Sequence, residues 1–148
     1  MRGQFTEDFE RVLLDACVNN QQAMEWTQMY CLWAHFIDDV VDEEGWMTSE
    51  NIMRSNIMIM NLTVHPWFYE HRAELFHIVQ LTAALWQQSN VWDKQSQPWQ
   101  KLEAEWMRCS GNLLVLVVAN ICGGYELMRK VTPRLAELSY KNQKQENA

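Results

Sequence analysis

The sequence predicts an all-α protein, an antiparallel bundle of five to six helices forming one domain over residues 1–140. Three observations carry this. Apolar residues recur at intervals of three and four through most of the chain, the period of a helix with one buried face. No two segments read as strands able to pair, and an unpaired strand is not a fold. Glycines and prolines number only five and three, and most stand where a periodic stretch starts or stops. A chain of 148 residues can bury one sizeable core, and 48% hydrophobic with 21% charged residues is a globular composition.

The first helix is expected to start at Thr6, whose hydroxyl suits an N-cap, with Glu7 and Asp8 in the first turn where the helix dipole favours them. Phe9, Val12, Leu13 and Cys17 form its stripe, and Asn19-Asn20 reads as its stop. The second runs from Gln21 to Glu44 and is ended by Gly45. Its main stripe is Trp26, Met29, Tyr30, Trp33, Phe36, Ile37, Val40 and Val41. The opposite side, Met24, Thr27, Cys31, His35, Asp38 and Asp42, is apolar or small at first and acidic only at the end. Apolar groups on both sides predict a central helix with neighbours on each face.

Thr48 or Ser49 caps a third helix reaching Leu62, with Ile52, Met53, Ile57, Ile59 and Met60 as its apolar positions. Pro66, with His65 as the capping residue, opens a fourth that continues to Ser89 with the stripe Phe68, Leu75, Val79, Thr82 and Trp86. Residues 93–97 read as a linker and Pro98 as the start of a fifth helix, with Trp99, Leu102, Trp106, Leu113, Val117 and Ile121 on one face. Gly123-Gly124 is expected to end or kink it. A sixth helix then spans Tyr125 to Tyr140 with a break at Thr132-Pro133. Residues 141–148 read as a disordered tail.

Composition narrows the function. Eight Trp and nine Met predict a core, or pocket walls, of large adaptable side chains. With a net charge of −7 and twelve scattered basic residues, nucleic acid and anionic membranes are not expected partners. Cys17, Cys31, Cys109 and Cys122 form no C-x-x-C pair and read as free thiols in a reducing compartment. The N-terminus lacks the apolar core of a signal peptide, and the longest apolar run, Leu113 to Ala119, is too short for stable membrane insertion. The expected location is the cytoplasm.

The densest group of potential metal ligands is Asp38, Asp39 and Asp42, with His35 one turn earlier. Residues 38–44 hold five acids in seven positions. Carboxylates at i and i+4 share a face and repel, and they stand at the helix end where negative charge is unfavourable. A divalent cation would relieve both conflicts. Mg²⁺, with Mn²⁺ as an alternative, takes one or two carboxylates together with substrate phosphates. Glu70 and Glu74, with His77 further along the same face, are expected to complete the site from another helix. Arg72, Arg108, Arg129 and Lys130 are the candidate grips for a diphosphate.

Asp38-Asp39-Val40-Val41-Asp42 resembles the DDxxD motif of the class I isoprenoid synthases, and the flanking Tyr30 to Glu43 is similar to the corresponding helix of phytoene and squalene synthases. The resemblance implies an isoprenoid-synthase-like bundle or a truncated relative of it. There, Asp38 and Asp42 would be the main Mg²⁺ ligands, Asp39 would support them, and a prenyl diphosphate would be the small-molecule partner. It covers about fifteen residues. The family's second acidic motif has no counterpart, since no aspartate follows Asp93.

Under this reading the protein is a Mg²⁺-dependent diphosphate lyase or transferase, or a protein derived from one. Two acidic helices also resemble the all-α nucleotide pyrophosphohydrolases. Glu74-Leu75-Phe76-His77 matches the ExxH of helical di-iron proteins, which need two copies where this chain has one. The reading from another class is a non-catalytic helical adaptor or oligomerisation protein, a homodimer through Trp-rich faces.

Overall fold

A computed structural model describes residues 5–146, with the side chains of residues 143, 145 and 146 outside the description. All regular structure among these residues is helical: α1 (Glu7–Cys17), α2 (Gln21–Asp42), α3 (Ser49–Val64), the single-turn α4 (Pro66–Glu70), α5 (Arg72–Trp92), α6 (Pro98–Arg108) and α7 (Gly111–Glu146). The all-α bundle expected from the sequence is the fold observed.

Local chemistry fixes the starts. The Thr6, Asn20 and Thr48 side chains accept the amides of Phe9, Ala23 and Asn51, satisfying N–H groups that the helix itself cannot. His65 caps α4 as expected, its Nδ1 accepting the Trp67 amide at 3.2 Å. Pro66 and Pro98 occupy first-turn positions, where the missing N–H is no loss.

Four boundaries differ from the sequence reading. The expected fourth helix is stepped at His71 (φ −109°, ψ 21°) into α4 and α5, so Glu70 and Glu74 do not share one continuous helix. The expected fifth helix stops at Arg108, and the turn at Cys109-Ser110 shifts the phase of α7 relative to α6. Pro133 lies inside α7 without a break, at the cost of one backbone hydrogen bond. Helix continues to Glu146, through most of the stretch expected as a disordered tail; residues 147–148 lie outside the described residues.

The reversal in α7 falls where the glycine pair stands. Gly124 has φ 81° and ψ −179°, a region essentially reserved for glycine. The Asn112 amide donates to Ser139 Oγ at 2.6 Å, although these residues would lie ~40 Å apart on a straight helix. The two arms, residues 111–123 and 125–146, therefore fold back on one another. Each arm stands alone in its direction, and the first, carrying the 113–119 apolar run, is only ~20 Å long. That is shorter than the ~30 Å hydrocarbon core of a bilayer. By length and composition alone, Pro98–Asn142 holds a window apolar enough to cross one, but the step at Cys109 and the reversal interrupt it.

α2 is central, as its two apolar sides predict. Trp26 and Tyr30 of the main stripe and Thr27 and Cys31 of the second side are all buried, and α2 packs against α1, α3, α4 and α7. Its indoles also act as struts. Trp26 Nε1 donates to the Leu62 carbonyl at 3.0 Å, supplying a partner to the otherwise open C-terminal end of α3, and Trp33 Nε1 donates to Ser55 Oγ at 3.1 Å. These two bonds set α3 antiparallel to α2. Against α5 the order is the opposite: Trp26 stacks on Phe68, Tyr30 bonds Thr82 at 2.7 Å and Trp86 reaches Asp38. The α4–α5 segment thus follows α2 in the same direction. A second core cluster joins Val12, Leu13 and Ala16 of α1 to both arms of α7, and Arg134 pairs with Asp15 at 2.7 Å on its rim.

Candidate functional site: an acidic corner and two bare apolar faces

The last turns of α2 bring Asp38 and Asp39, both half-buried, and the exposed Asp42 to one end of the bundle. The α5 end and α6 deliver charges to the same corner. Arg108 pairs with Asp93 at 3.3 Å, and both, with Lys94, act on Asp42. The Asp42 carboxyl is pushed above its ordinary range. Partial loss of water is the larger cause and the Asp38 charge the next; Asp93 adds to the push, and Arg108 and Lys94 oppose it. Asp38 itself accepts the Trp86 indole N–H at 2.7 Å, a charge-assisted bond tying α2 to α5.

The other expected site residues lie elsewhere. Because α2 and α5 run in the same direction with Trp86 beside Asp38, Glu74 lies twelve residues back along α5, ~18 Å away. Glu70 lies further still, and Glu70, Glu74 and His77 are all exposed. Arg72 is held at that far end, donating to the Tyr69 carbonyl at 2.6 Å and lying over the Tyr69 ring. Arg129 pairs with Glu126 at 3.4 Å, and the exposed Lys130 is next to it, both just past the reversal in α7. Of the four expected diphosphate grips only Arg108 stands in the acidic corner.

The donor set does not fit the Mg²⁺ site anticipated from carboxylates on two helices. Among the described residues no three His, Cys, Asp or Glu side chains converge as metal ligands. The conflict of like charges that suggested a cation is instead met in part by Trp86, Arg108 and Lys94. Indole and guanidinium donors are uninformative in a sequence until their helices are placed.

No disulfide joins the four cysteines: Cys17 and Cys31 are buried, while Cys109 and Cys122 are half-buried. Burial pushes both Cys17 and Cys31 up to about 12, with Cys122 adding to the rise at Cys17 and Cys17 to that at Cys31. At neutral pH they are protonated and poor nucleophiles.

What the sequence did not indicate is how much apolar surface stays outside. On α3 the residues turned inward are Ser55, Met58, Ile59 and Leu62; Met53, Ile57, Met60 and Val64 point the other way and are exposed. Three of the five positions expected to form the inner stripe of that helix, Met53, Ile57 and Met60, make up most of this outer one. α6 repeats the inversion. Ala104 is buried, whereas Trp99, Leu102 and Trp106, at i, i+3 and i+7, face solvent. A shallow surface hollow is lined by Leu102, Glu103 and Trp106, and another opens at the α1–α2 turn around Asn19 and Gln21. The signal for α3 was present: small Ser55 and Leu62 share one phase, and a second apolar phase runs opposite. A pattern with two apolar phases does not say which is buried.

In comparisons with known proteins the chain matches no protein family, no curated protein and no solved structure.

Proposed function

We propose that the chain works by association, as a non-catalytic helical adaptor or oligomerisation protein. The observation that carries this reading is the pair of solvent-facing apolar stripes on α3 and α6. Exposed large hydrophobic residues scattered singly need no explanation, but stripes at helical spacing along whole helices are the signature of surfaces that meet another protein. Both stripes stand on well-anchored elements. Trp26 and Trp33 pin α3, and the edge contact of Trp92 with Trp99 at 5.4 Å fixes the start of α6 on α5. A rigid apolar face loses little entropy when it docks. The acidic corner on this reading keeps one end of the bundle soluble and its helices in register.

Sedimentation of the full chain from low to high micromolar concentration tests it, alongside binding of a hydrophobic dye. Association that grows with concentration is the expected result, together with dye fluorescence that charged substitutions on either stripe diminish. A strictly monomeric chain that binds no dye overturns the reading. So does a melting temperature raised by Mg²⁺ with pyrophosphate and no longer raised in an Asp38→Asn, Asp42→Asn variant, which restores the diphosphate reading.

A further inference from the structure

Resting on that association reading, we infer that α3 is the seam of a two-fold homodimer, in which the α3 helices of two copies pack antiparallel through Met53, Ile57, Met60 and Val64. The spacing of the four residues is four, three, four, the alternation of a and d positions in a coiled coil. β-Branched Ile57 and Val64 fall at a, and the flexible Met53 and Met60 at d. The helix back is already committed. Ser55 and Leu62 are buried against α2, where Trp33 and Trp26 hold them, so the outward face is presented in one orientation.

Charge and area both point to a second copy as the occupant. A protein of net charge −7 repels itself except where its surface is poor in charge. The seam is flanked by Asn56, Asn61 and Thr63, and the one flanking cation, Arg54, lies over the Phe36 ring of its own chain at 5.0 Å. The α6 stripe, by contrast, is interleaved with Lys101, Glu103 and Glu105. The four seam residues are 54–76% exposed. Together they present on the order of 500 Å² per copy, or roughly 1,000 Å² in a pair, about the least expected of a biological interface.

Direction follows from Glu50, which continues the stripe one step before Met53. In a parallel pair the two Glu50 carboxylates would meet at the seam. In an antiparallel pair they are ~25 Å apart at opposite ends. The two-fold axis then passes between positions 58 and 59. Ile57 faces Met60 of the second copy, and Met53 faces Val64.

That register is testable by charge exchange in the full chain. Met53→Lys and Val64→Glu alone each bury an unpaired charge and should weaken the dimer at least ~100-fold in sedimentation velocity. The Met53→Lys, Val64→Glu double variant places opposite charges face to face twice and should recover all but ~10-fold of that loss. Helix content should stay unchanged throughout, because both side chains point outward, and Trp106→Glu on α6 should leave the dimer intact. A double variant as dissociated as the singles overturns the antiparallel register. Dissociation by Trp106→Glu and not by the α3 variants overturns the seam while leaving the association reading standing; a monomeric wild type that binds no hydrophobic dye removes both.

Discussion

The bond between Trp86 and Asp38 decides what the acidic end of α2 is for, and a double-mutant cycle measures it. Trp86→Phe leaves the half-buried Asp38 carboxylate without its indole donor at 2.7 Å. A hydrogen bond to a charged group is worth about 1.5–3 kcal/mol, and the smaller ring leaves a gap costing about 0.5–1 kcal/mol more. Together these predict a loss of about 2–4 kcal/mol, a fall in melting temperature of roughly 5–15 °C for a domain of this size.

Asp38→Asn acts differently. It keeps an oxygen acceptor for the indole but removes the charge. Weakening of the bond is offset by relief of the i,i+4 repulsion with Asp42, about 0.2–0.5 kcal/mol, and of the helix C-terminal dipole, about 0.3–1 kcal/mol. The net change should lie within about 0.5 kcal/mol of zero. In the Asp38→Asn background, Trp86→Phe should cost about 1 kcal/mol less than in the wild type, which is the coupling of the pair. Urea unfolding followed by far-ultraviolet circular dichroism, at one fixed protein concentration so that association does not move the midpoint, gives all four values. Additivity within about 0.3–0.5 kcal/mol would show that Asp38 and Trp86 do not depend on each other and would sink the structural account of this aspartate.

Four further outcomes are expected. Asp42→Asn should raise the melting temperature at neutral pH: the folded-state carboxyl lies above its usual range, so the native state holds the proton more tightly and wild-type stability falls as pH rises through that value. The advantage of the variant should fade as pH drops below the ordinary aspartate range, and a gain unchanged in acid would exclude a charge effect. Gly124→Ala should lose about 1–3 kcal/mol in urea unfolding, because its φ of 81° with ψ −179° admits no side chain without strain; an unaffected midpoint would mean that the reversal in α7 tolerates another conformation. Val18→Gly should gain about 0.5–1 kcal/mol by the same measurement, since a β-branched residue at φ 50° caps α1 in the left-handed region. In thiol titration of the native protein, Cys17 and Cys31 should react only after urea is added, and rapid native labelling of either would contradict their burial.

The sequence by itself determined the helices and their punctuation. Thr6, Thr48, Pro66 and Pro98 mark starts because capping and proline geometry are local, and Gly124 marks the reversal because few other residues can adopt its backbone; Asn20, read only as a stop, is also the cap of α2. The double-sided pattern of α2 likewise announced a central helix, since two apolar faces need two sets of neighbours.

The tertiary structure alone decided which apolar phase of α3 and α6 is inside, and which charged groups meet. Met53, Ile57 and Met60 are as apolar as Met58, Ile59 and Leu62; only the position of α2, fixed by the Trp26 and Trp33 bonds, selects one set for burial and leaves the other bare. The acidic stretch of α2 was legible as a local conflict, and its resolution was not. Trp86 and Arg108 lie more than forty residues away from Asp38, and Glu74 was expected to face it. The direction in which α5 passes α2 brings the first two to that corner and carries Glu74 to the other end, because position along a helix becomes position in space only once the helices are packed.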